Sequence, residues 1–155
     1  MLCVICYVLY VMNTIKFEIV TPEREVFKEM VAQVTVPTRS GEITILPHHI
    51  PLVSILAPGV IEVRQPDGNI EVMSVSGGFI EVLKDKIVIL ADTAERAAEI
   101  DISRAEEARA RAEETRKNLE RHDVEQFMGV AAKIQKELAR SRAATRWRRI
   151  KGMEK

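Results

Sequence analysis

Residues 60–75 read Val60-Ile61-Glu62-Val63-Arg64-Gln65-Pro66-Asp67-Gly68-Asn69-Ile70-Glu71-Val72-Met73-Ser74-Val75. Two runs rich in Val and Ile flank a Pro-Asp-Gly-Asn connection. Proline presets φ for a turn, Asp and Asn side chains bond nearby backbone, and glycine accepts positive φ. The stretch therefore predicts an antiparallel hairpin. The same period of two extends in both directions along the chain. Ile15, Phe17 and Ile19 share one face with Lys16 and Glu18 opposite, and Val31, Gln33 and Thr35 alternate with Ala32, Val34 and Val36. Phe79-Ile80-Glu81-Val82-Leu83 and Ile87-Val88-Ile89-Leu90 flank the short Lys84-Asp85-Lys86 connection. Ser76-Gly77-Gly78 lies between strands rather than before a helix, so it reads as a turn needing φ > 0 and not as a serine nucleophile. About 8–10 short strands punctuated by Gly and Pro predict an antiparallel β-sandwich or barrel over residues 13–92.

Composition changes near Asp92-Thr93. All six prolines, and every glycine except Gly129 and Gly152, precede it. From Asp101 to about His122 strong helix formers dominate, with a stripe of Ala105, Ala108, Ala112, Thr115 and Leu119. After Arg121-His122-Asp123 a second stripe runs Phe127, Ala131, Ile134, Leu138, Ser141, Thr145. Two seven-residue patterns with a short break predict an antiparallel two-helix hairpin over 93–150, followed by a tail at 151–155. Its seam is mostly Ala, Ser and Thr, and each buried CH₂ contributes only about 0.8 kcal/mol, so the hairpin reads as a movable arm on a rigid head.

Lys+Arg and Asp+Glu are 23 each, so no net field steers the chain onto nucleic acid or a membrane. The balance hides an asymmetry: residues 1–93 carry −4, 94–125 carry −3, and 126–155 carry +7. Residues 2–12 are apolar but too short to span a bilayer, and they lack the flanks of a secretory signal. Cys3 and Cys6 form a lone C-x-x-C without a partner pair. Met12 reads as the biological start, with residues 1–11 before it an upstream extension, so that the head is counted from residue 13; a short extra strand is the other reading. Phosphate-loop, H-E-x-x-H and nucleophile-elbow motifs are absent from the sequence, so the chain reads as no enzyme by itself.

Four segments in register carry a family resemblance. Ser40-Gly41-Glu42-Ile43-Thr44-Ile45-Leu46-Pro47-His48-His49-Ile50-Pro51-Leu52, Val75-Ser76-Gly77-Gly78-Phe79-Ile80-Glu81-Val82, Ile89-Leu90-Ala91-Asp92-Thr93-Ala94-Glu95-Arg96 and Ile100-Asp101-Ile102-Ser103-Arg104-Ala105 resemble the ε subunit of the bacterial F-type ATP synthase. Thr44 departs from that pattern, standing where the family usually has glycine. The resemblance implies a β-sandwich head with two C-terminal helices, in a central-stalk role coupling proton flow to ATP synthesis. It implies a head bound to the γ subunit and the membrane rotor (c) ring, and an arm regulating the catalytic α and β subunits. It also implies a peripheral place on the cytoplasmic face of the plasma membrane, with no direct membrane span and no nucleic acid. No cofactor is required; a regulatory ATP is implied by I-D-x-x-R-A, with Glu95, Ile100, Asp101, Arg104, Arg111 and Arg140 as its binding residues.

Asp101 has a second reading as the N-cap of the first helix, and the two readings are compatible. By resemblance the loop with Glu42, His48 and His49 faces the rotor ring; adjacent histidines point in different directions, which disfavours a shared metal site. Arg140, Arg142, Arg146, Arg148 and Arg149 read as a solvated helix face or as the arm's contact with an acidic surface of the catalytic head. In a lowered hairpin their charge is expected to be partly neutralised by the first helix. The alternative to a rotor subunit is a free-standing β-sandwich binding module whose basic arm takes an acidic partner or nucleic acid.

Overall fold

Alternating β-branched residues need a ladder partner for every backbone group and an apolar layer for one face, and the ten strands here find both. The computed structural model describes residues 14–118 and 124–152. Residues 1–13, with Cys3, Cys6 and Met12, lie outside the described residues, as do the break at 121–123 and residues 153–155. The strands are β1 (Ile15–Val20), β2 (Glu25–Val31), β3 (Gln33–Thr38), β4 (Gly41–Ile45), β5 (Leu52–Leu56), β6 (Gly59–Arg64), β7 (Ile70–Val75), β8 (Gly78–Val82), β9 (Lys86–Ala91) and β10 (Ala94–Arg96). A 3₁₀ turn (Ala97–Glu99) leads to helices α1 (Ile102–Asn118) and α2 (Val124–Ile150).

The pairing order is β10-β7-β6-β3-β5-β8-β9-β1-β2, with β4 on β3. Only Thr38↔Leu56 joins β3 to β5, so the sheet folds there into two facing layers. Pairing is antiparallel except between β1 and β9, where Phe17 lies beside Ile87 and Ile19 beside Ile89 in a parallel ladder. Inward residues of both layers, among them Phe17, Ile19, Phe27, Val34, Val36, Ile61, Val63, Met73, Ile80 and Ile89, form the main core.

The quoted hairpin forms as its turn residues require. The Gly68 amide donates to the Gln65 carbonyl at 3.0 Å, and the Asn69 amide to Asp67 Oδ1 at 2.8 Å. Gly68 takes φ +87°. Ser76-Gly77-Gly78 also turns with positive φ, +146° and +124° at the glycines. At Thr44 the chain stays a regular strand: Thr44 pairs with Thr35 and their hydroxyls lie 3.0 Å apart.

The arm departs from the single-seam expectation. Of the second stripe, Ile134 is buried and Ala131, Leu138 and Ser141 are half-buried, but Phe127 and Thr145 face solvent. The buried residues beyond Ile134 are Ala139, Ala143 and Ala144. Length explains the change. At about 1.5 Å per residue, the 27-residue α2 outruns the 17-residue α1, so its C-terminal part has no helical partner. That part turns its alanines onto the head instead. Ala143 and Ala144 pack with Val72, Ala97 and Ile100, flanked by Val60, Ile70, Ile102 and Trp147. The β6–β7 layer is therefore covered on both faces, and the arm lies docked rather than free. The sheet also continues past Asp92: Ala94, Glu95 and Arg96 pair with Val75, Ser74 and Met73.

Candidate functional site

The first candidate site forms where the 3₁₀ turn hands over to α1. Asp101 caps the helix: its Oδ1 accepts from the Arg104 amide at 3.3 Å, and its carbonyl from the Ala105 amide at 3.1 Å. The Asp-to-Arg spacing of three and the Arg-to-Arg spacing of seven then place Arg104 and Arg111 on one helix side. A cleft of 290 Å³ opens there, lined by Asp101, Arg104, Glu107, Arg111, Glu99 and, from α2, Arg140. Arg140 Nε donates to Glu95 at 3.0 Å and Nη1 to Glu137 at 2.8 Å. Burial works against its charge, but the hydrogen bond with Glu137 and the charge of Glu95 outweigh it and hold the guanidinium more firmly protonated than usual. Four of the six residues implied for nucleotide binding thus share one cleft. Glu95 joins them through Arg140 and lines an adjoining 340 Å³ cleft that shares Glu99. Ile100 does not face the cleft; it is buried in the arm–head contact. Three guanidiniums offer donor forks to phosphate oxygens, and the three carboxylates of Glu99, Asp101 and Glu107 among them suit amino or hydroxyl donors.

The second candidate site is the outer face of β5, β8 and β9. Val53, Ile55, Phe79 and Leu90 are 70%, 42%, 56% and 58% exposed. Register puts Ile55 beside Phe79 and Phe79 beside Leu90, so three of them form one row across three strands. Glu81 sits within this face, between Val53 and Val88. Leu46 and Ile50, both exposed, flank the loop carrying His48 and His49. His48 has φ +66°, and His49 Nδ1 lies 2.6 Å from the Ile50 carbonyl. Glu42 is exposed on β4. Beyond Leu90 on the same face, Glu18 lies 2.8 Å from Lys86, 2.9 Å from Lys16 and 3.6 Å from Lys28. Hydrogen bonds from Lys86 and then Lys16 pull its carboxyl down to about 2, against the cost of covering it.

The third is the basic end of α2. Arg146 contacts the Glu62 carboxylate of β6, and Lys151 Nζ donates to Asn69 Oδ1 at 2.6 Å. Arg142, Arg148 and Arg149 are exposed, and Arg142, Arg146 and Arg149 line a 430 Å³ cleft against Glu42 and Gly59. The close ion pairs of these cations among the described residues do not run to the first helix. Among the described residues, the cations of α2 pair with Glu95 and Glu62 of the head and with Glu137 of α2 itself. Arg109–Glu113 and Arg111–Glu107 use up charges of α1 within that helix.

Sequence reasoning missed the apolar row on the outer face and the carboxylates under α2. The signal for the first was present: Leu90 and Phe79 are apolar at positions where strict alternation asks for polar residues.

A two-layer β head carrying a docked helical hairpin, with an apolar row exposed on its outer face, is the class of architecture these residues define. The comparisons agree with that class. The family model for the β-sandwich domain of the ATP synthase delta/epsilon chain matches residues 14–97. The chain is 44% identical over 130 residues to the ATP synthase epsilon chain of Syntrophobacter fumaroxidans, covering 84% of this chain and 95% of that one. It is 47% identical over 132 residues to the epsilon chain of Chloroflexus aggregans, covering 84% and 91%. Among solved structures it resembles a chain of the Euglena gracilis mitochondrial ATP synthase, OSCP/F1/c-ring, with TM-score 0.72 at 24% identity, covering 82% of this chain and 79% of that one. It also resembles a chain of the Tetrahymena thermophila mitochondrial ATP synthase central stalk and c-ring, with TM-score 0.52 at 15% identity, covering 86% and 95%. The chain belongs to the ATP synthase delta/epsilon-chain family. No helix among the described residues is long and apolar enough to cross a membrane.

Proposed function

We propose that this chain is the non-catalytic central-stalk subunit of a rotary, proton-coupled ATP synthase, peripheral to the cytoplasmic face of the membrane. The observation that carries the reading is the apolar row of Ile55, Phe79 and Leu90, with Val53 beside it, on a charged chain. Contiguous exposed apolar surface on a small protein marks a docking face. The γ subunit is its partner here, and the adjoining loop with Glu42, His48 and His49 meets the rotor ring. The relatives' names and the central-stalk and c-ring setting of the Tetrahymena chain support this assignment.

The arm regulates. Lowered, it lies on β6 and β7; raised, it offers Arg140, Arg142, Arg146, Arg148 and Arg149 to an acidic surface of the catalytic α and β subunits. ATP is the regulatory ligand of the cleft at Asp101, Arg104, Arg111 and Arg140, where arginine forks suit phosphate oxygens.

The docking face is tested by titrating purified γ with the full chain. Phe79→Glu and Leu90→Glu place a charge in the row and should each weaken binding at least about 30-fold, the scale of a hot-spot residue, with folding unchanged. Unchanged affinity in both refutes the assignment. Calorimetric titration with ATP tests the cleft: Arg104→Ala should abolish the heat and the ATP-dependent thermal stabilisation, and equal responses would leave Asp101 a helix cap only.

A further inference from the structure

The arm is held to the head at three polar points, two on α2 and one just past its end. Arg140 is bonded to Glu95 of β10, Arg146 contacts Glu62 of β6, and Lys151 reaches Asn69 in the β6–β7 turn. Between them the apolar contact is made largely of Ala143 and Ala144, with Trp147 at the edge. Alanines let the helix approach closely but bury little surface each, so the apolar part of the contact is weak for its length. Helix α1 adds Ile102 at the margin of that contact and otherwise packs against α2. The polar points add to that contact and tie the helix at fixed places along its length. They are also selective: of the five arginines assigned to the raised arm, two are held by head carboxylates, and Arg142, Arg148 and Arg149 remain exposed.

We infer that Glu62 and Glu95 form an electrostatic catch: they stand in for an acidic partner surface, occupy Arg146 and Arg140, and keep the arm lowered until a stronger acidic surface competes for the same guanidiniums. The inference rests on the regulatory reading of the arm only for its consequence; the catch itself is a property of the isolated chain. Both pairs are partly open to water, with 44% and 22% side-chain exposure for Arg146 and Glu62, and 23% and 32% for Arg140 and Glu95. Pairs of this kind shift an equilibrium by about 1.5- to 5-fold each, which suits a catch that must release. Screening by salt acts on the same pairs, so the catch weakens as ionic strength rises.

The test is the opening rate of the full chain without nucleotide. Cys3 and Cys6 are replaced by serine, and Ala144→Cys places one thiol in the buried contact. Its labelling by a thiol reagent then reads, in proportion, the fraction of time the arm is up. Glu62→Gln and Glu95→Gln should each speed labelling by about 1.5- to 5-fold and act together in the double variant. Exposed Glu114→Gln on α1 should not speed it. Exchanging the charges, Glu62→Arg with Arg146→Glu, should return the rate toward that of the parent, which a merely structural effect of Glu62 would not do. High salt should speed the parent and erase the difference between it and the variants. Labelling in Glu62→Gln and Glu95→Gln indistinguishable from the parent at low salt overturns the catch. If labelling speeds as expected but hydrolysis by the reconstituted complex does not respond to the same variants, the catch stands and the regulatory reading of the arm falls.

Discussion

Two glycines in this chain should respond to alanine with opposite sign, and the structure sets both magnitudes. Gly78 opens β8 at φ +124°, and a Cβ added there would lie 2.1 Å from the Leu90 carbonyl oxygen and 2.8 Å from the Ala91 Cα. The obstacle is backbone of the neighbouring strand, so no side-chain rotation can relieve it. Relief requires β8 and β9 to separate at the Gly78↔Ala91 pair, in the middle of the layer that carries the proposed docking face. The unfavourable φ costs about 1–3 kcal/mol, and forcing extra volume into packed structure costs about 1–3 kcal/mol more. Against a total stability of about 5–15 kcal/mol, a combined cost of about 2–6 kcal/mol should lower the midpoint of Gly78→Ala by about 4–24 °C, or prevent folding where the parent is at the low end of that stability. Gly129 lies inside α2 with nothing within 4 Å of an added Cβ, so nothing in the packing calls for glycine there. Gly129→Ala should raise helix stability by about 1 kcal/mol. Thermal unfolding followed by circular dichroism at 222 nm reads both. If Gly78→Ala unfolds within a few degrees of the parent, the β8–β9 geometry described here is wrong. If Gly129→Ala lowers the midpoint, α2 does not run continuously through that position as described.

Two further outcomes follow from the charges and from the strand order. Glu18 is held at about 2 in the folded chain, below its unfolded value, so its contribution is present at neutral pH and is lost as pH falls through the folded value. Stability of the parent and of Glu18→Gln, measured by urea unfolding, should differ most at pH 6–7 and converge between about pH 4.5 and 2; a constant gap across that window would refute the lysine cluster. A chain ending at Ile100 should keep a cooperative unfolding transition, whereas one ending at Asp92 loses β10 and uncovers Met73 and Val75, and should unfold at a lower temperature. Equal midpoints for the two would mean that β10 is not part of the head.

The turns and strand spans of the head are legible because their causes are local. Pro66-Asp67-Gly68-Asn69 and Ser76-Gly77-Gly78 can do little but turn, and the alternating runs between them can do little but pair. The Asp101 cap is legible for the same reason, since its partner is three residues away. What was not legible depends on length and on distant surfaces. The parallel pairing of β1 with β9 joins segments seventy residues apart and leaves no local mark. The docking of α2 on the head follows from two helices of unequal length, a fact hidden when both are read as one continuous seam. A trace existed in Val60-Ile61 and Val72-Met73, where adjacent apolar residues break the alternation because both faces of β6 and β7 are covered. The pairing of Arg140 and Arg146 with Glu95 and Glu62 spans 45 and 84 residues, and charge counting alone does not name such partners. In the cleft at the start of α1, spacing along one helix was enough to group Asp101, Arg104 and Arg111; the arrival of Arg140 needed the hairpin to close.

In the proposed assembly this chain is held by its outer β5–β8–β9 face in the stalk of an ATP synthase. The most direct measurement is to tag the chain in its own cell, extract the membranes with a mild detergent, and quantify what is retained by mass spectrometry, in parallel with Phe79→Glu. If that face is the docking surface, γ, α and β are retained at fixed stoichiometry with the parent chain and lost with the variant. Recovery of the parent chain without γ, or equal retention of γ by both, would contradict it.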